Sequence, residues 1–118
     1  HSDNIPMVKQ SASLKEALVE MTHKKLGMTT VVDDDGRLTG IFTDGDVRRA
    51  FDRNSDIHAT AVKDVMTKSP KTIKHDMLAA EALNLMETFK ITSLVITNAS
   101  HEPDGILHIH DILRAGVI

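Results

Sequence analysis

The 118-residue chain contains no cysteine, tryptophan or tyrosine and only three phenylalanines. The lack of thiols excludes disulfides, thiolate metal sites and cysteine nucleophiles, and makes a reducing cytoplasm the default location. The shortage of aromatic rings leaves few faces for base stacking. Basic excess is missing too. Against 17 Asp and Glu stand 14 Lys and Arg, a formal net charge of −3, and no Lys/Arg block interleaves with aromatics, which argues against a nucleic-acid partner. No apolar run approaches the roughly 18 residues needed to span a bilayer, and no signal-like stretch precedes the first element, so no membrane partner is expected. An initiator Met is also absent. His1 to Gln10, with Pro6 barring a helix interior, therefore reads as the cut edge of a longer polypeptide.

What the chain does contain is a repeat. An offset of sixty-five residues carries Glu16, Ala17, Leu18, Met21 and Lys25 onto Glu81, Ala82, Leu83, Met86 and Lys90. The same offset carries Gly40, Ile41 and Asp46 onto Gly105, Ile106 and Asp111, and Arg49 and Ala50 onto Arg114 and Ala115. In the first copy Ile5 to Val8 is a short extended piece. Ser13 and Glu16 fit a capping box, Leu14, Ala17, Leu18 and Met21 form an apolar helical stripe, and Gly27 stops the helix. Met28 to Val32 and Leu38 to Thr43 read as a hairpin around Asp33-Asp34-Asp35-Gly36, a solvated turn without the oxygen-ligand spacing of a calcium loop. Asp44 is expected to cap a helix from Gly45 to about Asp52, with Val47, Ala50 and Phe51 inward.

A polar stretch from Arg53 to Thr60 marks the linker, and Val62 to Thr67 is expected to form a helical turn before Pro70. Thr72-Ile73, a helix from about Met77 to Phe89 with Ala79, Ala82, Leu83 and Met86 inward, strands Ser93 to Thr97 and Gly105 to Ile109, and a helix from Asp111 repeat the pattern. The fold class is mixed α+β, two pseudo-symmetric strand-helix-strand-strand-helix units over residues 1–58 and 59–118. Neither buries its helices well alone, so the two should pack on each other.

The candidate site is Gly40 to Asp46, where a strand's carboxyl end meets a helix start whose free N–H groups suit an anion. The Thr43 hydroxyl can donate to a phosphate, with Asp44 and Gly45 opening the helix beside it. The Asp46 carboxylate would repel a phosphate but suits a neutral diol. Arg48, Arg49 and Arg114 can neutralise phosphates or simply pair with nearby acids. In the second copy His108 replaces the Thr while Asp111 is kept. His108 and His110 would share a face if the strand continues, and with Asp111 they form an alternative divalent-metal set, although a third ligand and outer-shell partners are not evident. Asp44-Gly45-Asp46 also invites an aspartate-nucleophile phosphatase reading. It fails because Arg48 stands at the usual Thr/Val place and two small repeats leave no further acidic site for magnesium.

These residues resemble paired cystathionine-beta-synthase-type (CBS) domains, regulatory modules whose repeats join through their sheets around a nucleotide-binding cleft. The resemblance spans essentially the whole chain and is carried by Val62 to Thr67 before Pro70, the Ala-Leu-x-x-Met helices, and Gly40, Thr43 and Asp46 as Gly-x-x-Thr-x-x-Asp. It implies that Asp46 accepts hydrogen bonds from ribose hydroxyls. Gly40 to Arg49, Glu81 to Met86 and Leu107 to Gly116 are similar to the C-terminal portion of bacterial arabinose-5-phosphate isomerases, whose separate N-terminal sugar-isomerase domain interconverts ribulose 5-phosphate and arabinose 5-phosphate for Kdo and lipopolysaccharide synthesis. That likeness implies no catalytic residue in this chain, no required cofactor, and a nucleotide-like effector such as CMP-Kdo or an adenine nucleotide. It further implies a homodimer of CBS pairs within a homo-oligomer. The alternative is a ligand-free oligomerisation module.

Overall fold

The computed structural model describes residues 5–24 and 27–114. Lys25, Ala115 and Gly116, used in the repeat and family comparisons above, lie outside the described residues. Chain order is β1 (Met7–Lys9), α1 (Leu14–Lys24), β2 (Met28–Val32), β3 (Leu38–Thr43), α2 (Asp44–Asp52), a 3-10 turn (Val62–Asp64), β4 (Thr67–Lys68), β5 (Thr72–Ile73), α3 (Ala79–Phe89), β6 (Ser93–Thr97), β7 (Pro103–His108) and α4 (Ile109–Arg114). One sheet runs β1-β2-β3-β4 and the other β5-β6-β7. In each, a parallel pair is followed by an antiparallel hairpin, β1 with β2 and β2 with β3, then β5 with β6 and β6 with β7.

Strand alternation assigns each sheet two apolar faces. Val31 and Phe42 pack with Leu14, Ala17, Met21 and Ala50 on the helix side of the first sheet. Leu94 packs with Ala82, Met86 and Ile112 on the helix side of the second. The opposite faces meet each other through Met28, Leu38, Ile41, Val95 and Ile106. Covered on both faces, β2 has all five residues buried rather than every second one. Its Thr29 and Thr30 hydroxyls are tolerated there because they donate to the Thr30 and Pro6 carbonyls.

Several local expectations shift, among them the helical turn expected over Val62 to Thr67, which ends at Asp64 because Thr67 joins a strand. α2 starts at Asp44 with Thr43 as its cap, so Asp44 is the first helical residue rather than the cap. Phe51 is 53% exposed instead of inward, because the buried arc of α2 runs through Asp46 and Ala50, one turn apart. α3 begins at Ala79, two residues later than Met77, and β7 ends at His108, so Ile109 belongs to α4. A further strand, β4, adds to the outer edge of β3 through Gly40↔Lys68 and Ile41↔Thr67. Nearby, Val62 is fully buried in the first core. Gly40 is what lets β4 approach, since a Cβ there would lie 2.5 Å from Met66 Sδ and 2.7 Å from the Thr67 carbonyl oxygen. Among the described residues, no helix is long and apolar enough to cross a membrane.

Candidate functional site: a cleft at the junction of the two repeats

The first repeat fixes its strand end with a reciprocal cap. Thr43 stays extended (φ −115, ψ 171), its Oγ1 accepts the Asp46 N–H, and the Asp46 carboxylate accepts the Thr43 N–H at 3.0 Å. This satisfies backbone donors that a helix start otherwise leaves orphaned. The Thr43 hydroxyl also donates to Asp46 Oδ2 at 3.1 Å. From β4 the Thr67 hydroxyl donates to the same carboxylate, 2.9 Å from Oδ1 and 3.0 Å from Oδ2, and Arg49 reaches Oδ1 at 2.6 Å. Asp46 is thus a buried charge, 3% exposed, enclosed by donors from three elements.

The second repeat builds a reduced version of the same device, without the hydroxyl that Thr43 supplies. The His108 N–H donates to Asp111 Oδ2 at 3.0 Å and Arg114 to Oδ1 at 2.8 Å, as Thr43 and Arg49 do to Asp46. Among the described residues nothing stands in for Thr67, and the Asp111 side chain is 45% exposed against 4% for Asp46. Because β7 ends at His108, His110 does not follow it along a strand. The two imidazoles stack instead, 4.6 Å between centroids and 25° between planes, and His108 Nδ1 accepts the His110 N–H at 3.1 Å. That bond occupies one ring nitrogen of His108. No group of three His, Asp or Glu among the described residues is arranged to hold a metal ion.

Thr43 pairs across its hairpin with Met28, and His108 with Ser93, so the repeat brings four equivalent strand ends together. They border a cleft of about 590 Å³, within the range of small-molecule sites. Gly27, Met28, Ile41, Thr43, Asp44 and Gly45 line it from the first repeat. The segment leading into β5 adds Thr67, Ser69, Pro70 and Lys71, and the second repeat adds Phe89 to Ser93, Val95 and His108. Asp44 is its carboxylate; Lys71 and Lys90 are its cations. The wall is therefore part apolar, with charges of both signs at its edge.

Of the residues expected from sequence, Thr43, Asp44, Gly45 and His108 share this wall. Asp46 lies behind Thr43, Arg48 is exposed away from the wall, and His110 is exposed beside His108. Asp111 borders a separate cavity of about 280 Å³ with Ile73, Lys74, Leu107 and Ile112. Sequence reasoning missed Lys71, Phe89, Lys90, Thr92 and Ser93. The offset of sixty-five held a signal for two of these, since Thr92 and Ser93 are the counterparts of Gly27 and Met28 at the first strand entry.

Two sheets joined face to face, each with its helices outside and a ligand-sized cleft where their strand ends meet, define a tandem CBS domain pair. The CBS domain family matches residues 1–53 and 62–118, and the chain belongs to that family. Within it, the chain is similar to arabinose 5-phosphate isomerase KdsD, 51% identical over 98% of the chain for the Pseudomonas aeruginosa protein and 49% over 98% for that of Escherichia coli K12. It spans 36% and 35% of their lengths, in their C-terminal part. A solved structure of CBSX2 in complex with AMP superposes with a TM-score of 0.81 at 28% identity, covering 98% of this chain and 89% of that one. A CBS domain protein from Pyrobaculum aerophilum shares the fold at TM-score 0.84 and 19% identity, covering 97% and 92%.

Proposed function

We propose that this CBS pair is the regulatory part of a cytoplasmic D-arabinose 5-phosphate isomerase and binds a nucleotide-like effector in the junction cleft. The parent would interconvert ribulose 5-phosphate and arabinose 5-phosphate through its N-terminal sugar-isomerase domain. The observation that carries the effector reading is the cleft itself, which offers hydroxyls, a helix start, two lysines and a carboxylate around an apolar wall. The AMP complex of CBSX2 supports a nucleotide as occupant.

In this reading Lys71, Lys90 and the Thr43 hydroxyl take the phosphate. Thr43 can turn its proton from Asp46 to the ligand at low cost, because Asp46 keeps the Thr43 N–H, Thr67 and Arg49 as donors. Asp44 meets the sugar hydroxyls, and Asp46 serves them from behind the wall by holding Thr43 and the helix start in place. His108 reads the group that distinguishes this effector from an ordinary adenine nucleotide. CMP-Kdo, the activated sugar to which the parent pathway leads, is the candidate feedback ligand. Regulation follows only if the effector binds two states of the parent differently.

Calorimetric titration with CMP-Kdo, CMP, AMP and ATP tests this. At least one should bind, and a null result across all four leaves the ligand-free oligomerisation module. In either case the pairs are expected to associate, which light scattering of the purified chain would register as a homodimer.

A further inference from the structure

Phe89 is the last residue of α3, and Lys90 follows in the left-handed conformation (φ 55, ψ 46), turning the chain away and leaving the Phe89 ring on the cleft wall at 45% exposure. Of the three phenylalanines, Phe42 is buried in the first core and Phe51 does not line the cleft. Phe89 therefore offers the cleft its one benzene face. That face is already covered. Lys71 places Nζ 4.1 Å from the ring centroid, a cation–π distance. Lys71 also lines the cleft, and among the described residues no carboxylate pairs with it.

An ammonium resting on a ring keeps its N–H donors for water, and a phosphate serves them better. A flat base serves the ring better than an exposed cation does. We propose that Lys71 and Phe89 form an exchange pair that selects nucleoside phosphates: the phosphate draws Lys71 off the ring, and the base takes the vacated face. A ligand carrying both groups gains both contacts. A sugar phosphate without a base gains the ammonium but uncovers the ring to water, so the pair discriminates against it. This proposal rests on the reading of the cleft as a nucleotide site. It adds a reason why a sensor joined to a sugar-phosphate enzyme would ignore that enzyme's own substrates.

The test combines NMR of the Lys71 side chain with calorimetry of Phe89→Leu, a substitution at an exposed position. In the free protein the Lys71 ε-methylene should be shifted upfield by the ring current, and saturating CMP or AMP should abolish that shift. Phe89→Leu should weaken CMP or AMP by about fivefold or more, the low end of a base–aromatic stack. It should leave ribose 5-phosphate bound at least as tightly as by the unaltered chain, because the ammonium no longer has to leave a ring. An upfield shift that persists at saturation, a Phe89→Leu variant that binds nucleotides as tightly as before, or equal weakening of nucleotide and ribose 5-phosphate would each overturn the exchange while leaving the cleft reading intact. If the unaltered chain binds neither nucleotide, the exchange and its use of this cleft fall together.

Discussion

Asp46→Ala and Asp111→Ala remove the same residue from the same local device, yet they should differ several-fold in cost. Each loses the carboxylate that accepts the N–H of the residue before the helix, a bond worth about 1 kcal/mol. At Asp46 the change also strips the Thr67 hydroxyl of a charge-assisted bond, about 1.5 to 3 kcal/mol. The Arg49 pair adds less than about 1 kcal/mol, because the arginine side is 58% exposed and solvent screens it. The sum for Asp46→Ala is about 2.5 to 5 kcal/mol. For Asp111→Ala, with its side chain 45% and that of Arg114 76% exposed, the pair adds almost nothing and the total stays near about 1 kcal/mol. Urea unfolding of the two variants beside the unaltered chain reads the difference as midpoints at constant slope. Equal losses would refute the assignment of Thr67 as the part that makes the first repeat's carboxylate structural. Since single domains are stable by only about 5 to 15 kcal/mol, any loss of effector binding by Asp46→Ala has to be measured below its own unfolding transition.

Gly40→Ala should cost about 1 to 3 kcal/mol by pushing on the Thr67 backbone. Its counterpart Gly105→Ala, which meets only the Ile96 side chain at 3.3 Å, should be nearly neutral; thermal melts compare them directly. Thr43→Val removes a donor from the cleft and should weaken phosphate-bearing effectors by about tenfold while leaving the parent nucleosides little changed, as calorimetry would report. The Asp56 carboxylate accepts the N–H groups of His58 and Ala59, which hold its pKa below the ordinary Asp value. A depressed pKa contributes stability above the ordinary Asp range and loses it as pH falls through the folded value. Its NMR titration should have a midpoint below that of an unstructured Asp, and a midpoint at or above it would contradict the turn geometry.

The offset of sixty-five, the apolar stripes and the turn residues were enough to establish two like repeats, their strand and helix order and the equivalent places of Thr43 and His108 at their strand ends. These are local or periodic properties, written in side-chain spacing along one stretch of chain. What the sequence left open is where the halves touch. The Thr-x-x-Asp of residues 43–46 reads equally as a ligand motif or a capping box, and the structure forms the box, with Thr67 arriving from twenty-one residues away to close it. Lys71, Phe89 and Lys90 carry no local sign of a site, because their place on the cleft wall comes from the packing of one sheet on the other and from a left-handed turn at the end of α3. Composition and periodicity by themselves determined a duplicated, cysteine-free, sheet-and-helix chain with a polar strand end in each half. Only the tertiary structure decided that one carboxylate is sealed and its twin open, and which side chains face the cleft, since both depend on contacts between segments far apart in sequence.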